Sequence, residues 1–334
     1  MRAFHLTGTS IDSLKRVELP IPAPAAGEVL IRLRAASLNY LDLMVARGQF
    51  PVPSLPMIPG SDGAGDIVAL GDGVRGWAVG DRVVPGLIVD WAAGALAAPL
   101  AQRMRGVTLP GSLAEHATVP ATALVRIPDQ VSYRDAATLP IAGTTAWNAI
   151  AGRVRPGSTV LLLGTGGVSL FALQFAKVAG ARVILTSSSD AKLERARALG
   201  ADDTINYRSV PDWDAAVLTL TDGRGVDLVV ETVGATTFAR SLNAVAVGGT
   251  VFVVGLIGGG ELSVPVVPVL QKVITIQGNN TGSTAHLADA LRAVATNRIA
   301  PVIDRRFAFD DAPAAYRFLE SGGHVGKLVV DIDP

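Results

Sequence analysis

The pattern of apolar and polar positions divides the chain into parts. Up to about residue 122, short apolar alternations such as EVLIRLRAAS and GDRVVPGLIV are separated by turns rich in Pro and Gly, which is typical of short strands. One segment, NYLDLMVARG, has a helical pattern instead. The first part of the chain therefore predicts a mostly β domain.

From about residue 123 to 278, apolar strands alternate with helical stretches. TVLLLG is followed by VSLFALQFAKVAG, ARVILTSSS by AKLERARALG, and VDLVVETVG by FARSLNAVAVGG. Gly180 and Gly200 stand where two of these helices should end, as glycine often does just after a helix. Alternation at this spacing predicts βαβ units in an α/β domain with a parallel sheet.

The last part, residues 279–334, contains one predicted helix, STAHLADALRAVATN, and two short predicted strands, RRFAFD and GKLVVDI. We expect these strands to return to the first part. The chain has 334 residues, which favours two domains because single cores stop growing near about 250–300 residues. The predicted domains are residues 1–122 with 279–334, discontinuous in sequence, and residues 123–278.

Composition and charge exclude several classes of function. Lys and Arg together number 29, as do Asp and Glu, so no net charge attracts the protein to nucleic acid or to an anionic membrane. We find no uncharged apolar run of about 18 residues, so no membrane span is predicted. The first residues lack the long apolar core of a signal peptide, and we expect a cytoplasmic protein.

Cysteine is absent, which excludes disulfides, thiolate nucleophiles and cysteine-based metal sites. The histidines His5, His116, His286 and His324 are far apart and form no His-x-x-x-His pair. We expect each of them to be structural or to lie at the surface rather than to act in catalysis. The sequence therefore predicts no bound metal.

A glycine-rich turn joins a predicted strand to a predicted helix in LLLGTGGVSLFALQFAKVAG. Gly164, Gly166, Gly167 and Val168 lie in this turn, which approximates G-x-G-x-x-G with Ser169 in the third glycine position. The first glycine allows a tight turn, the second lets a pyrophosphate approach the backbone, and the third allows close helix packing, which a small serine can roughly satisfy. The helix N-terminus would attract the phosphates. The turn predicts dinucleotide binding, and the alternative is a structural turn that binds nothing.

The end of the second strand of this domain bears on the choice of dinucleotide. Folds that bind NAD usually carry an acidic residue there, which accepts the ribose hydroxyls. Here Ser187 and two further serines are followed by Lys192 and Arg195, which would favour a 2′-phosphate. We therefore expect NADP(H), with NAD(H) as the alternative. The serines or Asp190 could instead cap the next helix, and the Asp190 carboxylate is itself close to this position.

A second glycine cluster, from Gly255 to Gly260, follows a later predicted strand. Ligands of doubly wound sheets lie beyond the carboxyl ends of the strands. The cluster is therefore either a wall for the nicotinamide half of the cofactor or a flexible loop.

The chain resembles the medium-chain dehydrogenase/reductase superfamily over nearly its full length. The resemblance rests on ordered signatures: AASLNYLDLMVARGQFP, PMIPGSDGAGDIVALGDGVRGWAVGDRV, GSLAEHATVPATALVRIPD, AATLPIAGTTAWNAI, VRPGSTVLLLGTGGVSLFALQFAK, LGADDTINY and GKLVV. It implies a Rossmann doubly wound parallel sheet inserted in a GroES-like, mostly β catalytic domain.

The zinc-dependent alcohol dehydrogenases of this family bind a catalytic metal through Cys, His and Cys. The matching positions here are Asn39, Ser61 and Ile141, none of which offers a thiolate or an imidazole. Asn39, Ser61 and Asp62 could hold a hard cation, but they make a poor zinc site. The motifs SLN at 37–39 and INY at 205–207 are similar to the zinc-free quinone oxidoreductase branch.

The same resemblance implies further site residues. Asn39 and Thr145 would face the nicotinamide ribose or the substrate, although Thr144 lies beside Thr145. The implied cofactor residues beyond the glycine turn are Ser187, Lys192 and Tyr207 near the adenosine 2′-phosphate, Lys327 near the pyrophosphate, and Val254, Gly255, Asn279 and Thr281 around the nicotinamide.

The expected reaction follows from the missing metal ligands. Without a Lewis acid, reduction of a conjugated acceptor is easier than alcohol oxidation, because the charge left by hydride addition spreads onto oxygen and water can deliver the proton. The leading hypothesis is an NADPH-dependent, zinc-free oxidoreductase that transfers hydride to small hydrophobic quinones or α,β-unsaturated carbonyls. The alternatives are a zinc-independent alcohol dehydrogenase and a low-turnover NADPH-binding sensor or structural protein.

Three features of the sequence allow two interpretations each. Tyr40, next to Asn39, is either a candidate proton donor or a buried ring whose hydroxyl has a hydrogen-bond partner. The apolar segment 86–100 is a candidate substrate wall or subunit contact, or else a helix packed on its own domain. The strand KVITIQG could pair with its twin across a two-fold axis, which predicts a homodimer, or a tetramer built from such dimers.

Overall fold

The computed structural model describes residues 1–332 and divides into two compact units. We call residues 1–144 with 281–332 the first unit, and residues 145–280 the second unit. Residues 333 and 334 of the predicted first domain lie outside the described residues.

The amino-terminal stretch of the first unit consists mainly of strands joined by turns. NYLDLMVARG contains a helix, as predicted, which is α1 below. A π-helical turn at Leu139–Gly143 ends the stretch. The strands are β1 (Arg2–Leu6), β2 (Leu14–Glu18), β3 (Glu28–Leu38), β4 (Asp62–Leu70), β5 (Arg82–Pro85), β6 (His116–Pro120) and β7 (Leu124–Arg126), and the helices are α1 (Tyr40–Ala46) and α2 (Tyr133–Ala137).

The second unit alternates helices and strands. Its first helix begins one residue before the unit does. The elements in chain order are α3 (Thr144–Ile150), β8 (Thr159–Leu163), α4 (Gly167–Val178), β9 (Arg182–Ser187), α5 (Asp190–Ala198), β10 (Asp203–Asn206), α6 (Trp213–Leu220), β11 (Val226–Glu231), α7 (Ala235–Ala244), β12 (Val245–Val253), α8 (Val266–Lys272) and β13 (Thr275–Gly278).

The six strands of the second unit form one parallel sheet in the order β10-β9-β8-β11-β12-β13. The strand order reverses between β8 and β11, which is the place where doubly wound sheets bind their ligands. Gly180 and Gly200 follow α4 and α5 with φ angles of 78° and 102°. Both residues therefore have the left-handed backbone that ends a helix, as the sequence predicted.

The chain then returns to the first unit through α9 (Thr284–Thr296), β14 (Ile303–Ala308), α10 (Ala312–Glu320) and β15 (Lys327–Asp331). The sheet of this unit has the order β14-β15-β3-β4-β5-β7, and β6 also pairs with β3. Its register sets Ser37 opposite Asp62 and Leu38 opposite Leu328. The end of β3, the start of β4 and the start of β15 are therefore neighbours, and this edge carries the polar cluster described below.

Two features of the first unit differ from the prediction. The unit continues to residue 144 rather than 122, because β7 pairs with β5 and α2 packs on β3 and β4. The last part of the chain contains two helices rather than one. The second, α10, spans only nine residues with Pro313 in its first turn, and its buried positions Ala312, Ala315, Tyr316 and Leu319 have helical spacing.

Among the described residues, no helix is both long enough and apolar enough to cross a membrane.

Candidate active site

The glycine turn of the second unit has an open face. Gly164 has a φ of 74°, and its N–H donates to Thr186 O at 2.8 Å, which ties the turn to β9. A Cβ built on Gly164 or Gly166 would meet no other atom within 4 Å. Gly166 is the N-cap of α4, so Gly167 and Val168 form its first turn, where backbone N–H groups lack partners within the helix. This open space at a helix N-terminus fits a dinucleotide pyrophosphate.

Ser169 stands at the third glycine position of the motif, where its side chain makes a hydrogen bond. Its buried hydroxyl donates to Leu163 O at 2.7 Å, across the end of β8. Thr232 Oγ1 donates to the same carbonyl at 2.6 Å. The helix is thus fastened to the strand by a side chain, where the usual glycine would allow close approach.

The residues predicted near the adenosine phosphate lie at neighbouring strand ends. Ser187 ends β9, and the Tyr207 N–H donates to Ser187 O at 3.0 Å just after β10. Tyr207 is 42% exposed, and Lys192 lies in the first turns of α5. Asp190, the acid that the sequence left in question, accepts a hydrogen bond from Asn206 Nδ2 at 2.7 Å. The residues expected to determine the preference for NADP(H) or NAD(H) therefore lie at neighbouring strand ends.

A buried glutamate, which the sequence did not indicate, lies at the same carboxyl edge of this sheet. Glu231, at the end of β11, is fully buried. Its Oε1 accepts hydrogen bonds from the N–H groups of Val233 and Gly234 and from Thr237 Oγ1, at 2.8–3.0 Å, and its Oε2 accepts from Ser241 Oγ at 2.5 Å. Four donors on one carboxylate fix the loop that follows the strand.

The Glu231 backbone continues this arrangement toward the predicted nicotinamide residues. Its carbonyl accepts from the N–H groups of Val254 and Gly255, at 2.9 and 3.0 Å. A Cβ on Gly255 would lie 1.8 Å from Thr232 O, so only glycine fits there. The second glycine cluster is therefore anchored at its start by backbone contacts.

The remaining residues of the predicted nicotinamide border fall in both units. Asn279 belongs to the second unit, where its N–H donates to Val253 O at 3.1 Å and its Oδ1 accepts from Asn148 Nδ2 at 2.7 Å. Thr281 belongs to the first unit and has a φ of 58°, in the left-handed region. Thr145 is buried, and the neighbouring Thr144 hydroxyl donates to Leu139 O at 3.0 Å.

In the first unit, Asn39 and Ser61 are held together through Asp42. Asn39 caps α1, and its N–H donates to Asp42 Oδ2 at 2.7 Å. The other carboxylate oxygen, Asp42 Oδ1, accepts from the Ser61 N–H at 2.8 Å and from Ser61 Oγ at 2.5 Å. All three side chains are buried. Asn39 and Ser61, which the family resemblance matched to metal-ligand positions, thus share contacts with one carboxylate.

The side chains of Lys327, Asn39 and Asp62 form the centre of this cluster. Lys327 Nζ donates to Asn39 Oδ1 at 2.5 Å and to Leu38 O at 2.7 Å, and it lies 3.7 Å from Asp62 Oδ2. Asn39 Nδ2 donates to Asp62 Oδ2 at 2.8 Å. The family resemblance implied a place for Lys327 near the cofactor pyrophosphate, whereas this residue is 3% exposed and its ammonium donates to groups of the first unit.

Burial dominates the acid–base properties of the cluster. It raises the pKa of Asp62 to about 7, although Lys327 and Asn39 act in the opposite direction. Burial also raises the pKa of Asp42, against the hydrogen bonds from Ser61 and Asn39, and lowers the pKa of the Lys327 ammonium. The contacts among these groups therefore offset only part of the cost of burying their charges.

A second buried cation lies near the same cluster. Arg105 is almost fully buried, and its Nη2 donates to Ser112 Oγ at 3.0 Å. Burial lowers its pKa to about 10, and the Asp62 carboxylate opposes that change. Asp62 Oδ1 and Arg105 Nε both lack a hydrogen-bond partner among residues 1–332. No local pattern indicated Arg105, which lies outside the strands and helices.

The cluster does not fit a zinc ion. Of the three positions that match metal ligands, Asn39 offers an amide, Ser61 a hydroxyl bonded to Asp42, and Ile141 only an aliphatic chain, with its backbone N–H near Asp62. These are not the thiolate and imidazole donors that zinc prefers. The Lys327 ammonium already accompanies the Asp62 carboxylate. Within the described part of the chain, no group of three or more His, Asp or Glu side chains could hold a metal.

An apolar cluster adjoins these polar groups. The segment 86–100 is irregular and not helical, which corrects one of the two readings of the sequence. Leu87, Ile88 and Trp91 are buried in it, and the half-buried side chains of Leu41, Leu96, Leu100, Met104 and Ile141 pack against them. Leu41 follows Asn39 by two residues, and the Ile141 backbone lies near Asp62. The polar cluster thus has an apolar neighbour within the same unit.

Tyr40 begins α1 directly after Asn39 and is half-buried, with its ring packed against the main core of the first unit. This placement is compatible with Tyr40 as a proton donor and with Tyr40 as a packed ring of the core.

The chain is similar to known proteins over most of its length. An alcohol dehydrogenase GroES-like domain family matches residues 25–129, and a zinc-binding dehydrogenase family matches residues 167–296. A zinc-type alcohol dehydrogenase-like protein of Schizosaccharomyces pombe is 40% identical, over 97% of this chain and 97% of its own. The chain belongs to the medium-chain dehydrogenase/reductase superfamily. It is therefore an NAD(P)-dependent oxidoreductase with a GroES-like domain and a Rossmann-type domain.

Solved structures of this superfamily are similar over the whole chain. An NAD-dependent alcohol dehydrogenase is 36% identical, with a TM-score of 0.90 and 100% of both chains covered. A quinone oxidoreductase of Pseudomonas syringae pv. tomato is 29% identical, with a TM-score of 0.85 and 99% of both chains covered. A mycobacterial protein complexed with NADPH is 30% identical, with a TM-score of 0.85 and 99% and 100% covered.

Proposed function

We propose that this protein is an NADPH-dependent oxidoreductase that works without a bound metal and transfers hydride to quinones or α,β-unsaturated carbonyls. The observation that carries the proposal is the cluster of Asn39, Ser61, Asp62 and Lys327. It sets an internal ammonium among oxygen and amide groups at the positions that match metal ligands. The second unit binds the cofactor at its glycine turn.

The chemistry of conjugated acceptors suits such a site. The bound nicotinamide supplies the hydride, which adds to an electron-poor carbon and leaves negative charge on an oxygen. That charge needs hydrogen-bond donors and nearby positive charge rather than a metal. The Asn39 cluster supplies fixed charges, the apolar cluster around Trp91 excludes water, and Tyr40 or water delivers the proton.

The preference for NADPH is supported by the absence of an acid at the end of β9. Ser187 stands there, with Lys192 and the exposed Tyr207 at neighbouring positions, and these groups suit a 2′-phosphate better than a carboxylate would. The mycobacterial relative is complexed with NADPH. Asp190 and the NAD-dependent relative support the alternative, NAD(H).

The test is oxidation of NADPH and NADH by the purified protein with a panel of quinones and enones. We expect turnover with these acceptors, little turnover with the saturated ketone of the same skeleton, and a higher kcat/KM for NADPH than for NADH. Turnover of saturated ketones and enones at equal rates would contradict the proposed acceptor class. Tight NADPH binding without any turnover would instead support a sensor or structural role.

A zinc-independent alcohol dehydrogenase is the second candidate, because two of the relatives above have alcohol dehydrogenase in their names. Oxidation of alcohols at alkaline pH by metal-free protein, without enone or quinone reduction, would favour it.

A further inference from the structure

Lys327 is placed by its backbone with little freedom. Gly326 before it has a φ of 80°, and a Cβ there would lie 2.2 Å from Val302 O, so this position requires glycine. The Lys327 N–H donates to the same Val302 O at 2.8 Å. The side chain therefore starts from a fixed point at the beginning of β15 and reaches the end of β3.

The contacts of the ammonium determine how the Asn39 carboxamide is oriented. Only the amide oxygen can accept from Lys327 Nζ, which lies 2.5 Å away. The amide nitrogen must then face the acceptors on the other side, where Asp62 Oδ2 lies at 2.8 Å and Asp42 Oδ2 at 3.4 Å. A flipped amide would set its NH₂ group against the ammonium and its oxygen against a carboxylate. Lys327 thus leaves Asn39 a single favourable orientation.

The charges around the Lys327 ammonium also favour its contact with the Asn39 cluster. Asp42 and Asp62 are both buried, and two unpaired carboxylates in an interior are strongly unfavourable. Lys327 Nζ lies 3.7 Å from Asp62 Oδ2, whereas Arg105 Nη2 donates to Ser112 Oγ. The ammonium therefore supplies, through a covalent tether, the positive charge that this buried group of acceptors requires.

We propose that Lys327 is a positioning residue for hydride transfer, a tethered cation that holds the Asn39 carboxamide in the orientation used when the acceptor binds. The proposal rests on the proposed function, in which Asn39 faces the nicotinamide ribose or the acceptor. Lys327 touches neither substrate nor cofactor and acts through Asn39.

The first test separates this role from a contact with the cofactor phosphates. Lys327→Met keeps the chain length and removes the charge. We expect kcat for acceptor reduction to fall about 10- to 100-fold, as misplaced catalytic groups do, while the Kd for NADPH changes less than about two-fold. Lys177→Met is the matched control, because Lys177 pairs with Asp202 at 2.7 Å away from the cluster and should leave kcat unchanged. A raised Kd for NADPH with unchanged kcat would overturn the proposal and assign Lys327 to the phosphates.

The second test restores the cation without the tether. Lys327→Ala leaves space for a small amine, and we expect ethylammonium to raise its kcat several-fold in a saturable way. Tetramethylammonium, which carries the charge but has no N–H donor, should not do so. An unchanged kcat with ethylammonium at saturation would overturn the proposal.

The third test does not depend on turnover, so it separates failure of this proposal from failure of the proposed function. The melting temperature is measured for Lys327→Met, Asp62→Asn and the double variant. At pH 8, where the Asp62 carboxyl is ionised, we expect the double variant to be clearly more stable than the sum of the two single effects predicts, because it leaves neither the ammonium nor the Asp62 carboxylate without its partner. Additive losses would overturn the tethered-cation proposal, even if wild-type protein reduces quinones. If wild type reduces neither quinones nor enones, a non-additive cycle still supports the cation while the proposed function fails.

Discussion

At the level of single residues, the motifs identified Asn39 and Ser61 as matching positions but did not indicate the contacts that hold them. Asn39 and Ser61 follow from the order of short signatures, because the chain direction at β3 and β4 fixes where they lie. Lys327 is 288 residues from Asn39, and its contact depends on the register of β15 on β3. No local pattern encodes that register. The family resemblance implied a place near the pyrophosphate for Lys327, and its contact with Asn39 was not expected for this reason.

The raised pKa of Asp62 predicts a pH dependence of stability. Its folded-state pKa of about 7 lies above its usual value of 3.8, so the folded protein binds the proton more tightly than the unfolded chain does. The contribution of this group to the free energy of unfolding is therefore fully present below about pH 4. About 4 kcal/mol of it is lost as the pH rises to 7. The Asp62→Asn variant has no carboxyl to ionise at this position, so it does not lose this stability as the pH rises. We expect the melting temperature of the variant, relative to wild type, to increase from pH 5 to pH 8.

Asp81→Asn is the control for that measurement. Hydrogen bonds from Arg126 and from the Ala78 N–H lower the pKa of Asp81, so its titration lies below this pH range. The difference between Asp81→Asn and wild type should stay constant from pH 5 to pH 8. A constant difference for Asp62→Asn as well would show that Asp62 does not titrate in this range.

At the scale of elements, the parallel sheet and its glycine turn were predictable because long apolar strands and helices carry strong periodic signals. The short helix α10 was missed, since nine residues with a proline in the first turn carry little signal. Glu231 was missed because it ends an apolar run, VDLVVE, as any polar residue after a strand would. Its function as the anchor of the next loop depends on four donors that only the fold brings together.

Glu231→Gln tests this anchor. The amide replaces one acceptor by a donor that faces donors, so we expect a loss of about 2–4 kcal/mol of stability, as for other disrupted buried networks. NADPH binding should weaken as well, because the loop anchors Val254 and Gly255. Calorimetric unfolding and NADPH titration measure the two effects. Glu194→Gln, at an exposed glutamate of α5, should change neither quantity. Unaltered NADPH affinity in a destabilised Glu231→Gln variant would limit Glu231 to a role in folding.

At the scale of the whole molecule, the chain was predictable as two units, but the first boundary was set too early. The change of pattern near residue 122 precedes β7 and α2, which are too short to show a period and which belong to the first unit. The assignment to an oxidoreductase superfamily follows from signatures spread along the whole chain. The acceptor does not follow from them, since it depends on the side chains that line the site.

We propose that the second unit forms a homodimer along β13. This strand ends its sheet, and α8 beside it contains no buried residue. Val266, Leu270 and Val273 are each at least 66% exposed, and Leu256 and Ile257 add to the same apolar segment of the chain. Exposed apolar surface next to an open strand edge is typical of an interface.

Leu270→Asp tests the dimer, since a carboxylate buried in an interface strongly opposes association. We expect wild type to sediment as a dimer and the variant to sediment as a monomer at micromolar concentration. Val79→Asp, at an exposed valine of the first unit, is the control and should sediment like wild type. A tetrameric wild type that Leu270→Asp converts to dimers would show that a second surface is also used. A monomeric wild type would contradict the proposal.

In the proposed reaction, hydride transfer depends on an internal ammonium and not on a metal. The most direct measurement combines the metal content of the purified protein with its NADPH-dependent turnover before and after treatment with a strong chelator. We predict far less than one zinc per chain and an unchanged rate. One tightly bound zinc per chain, with turnover that is lost on its removal and regained on its return, would show that the enzyme depends on a metal.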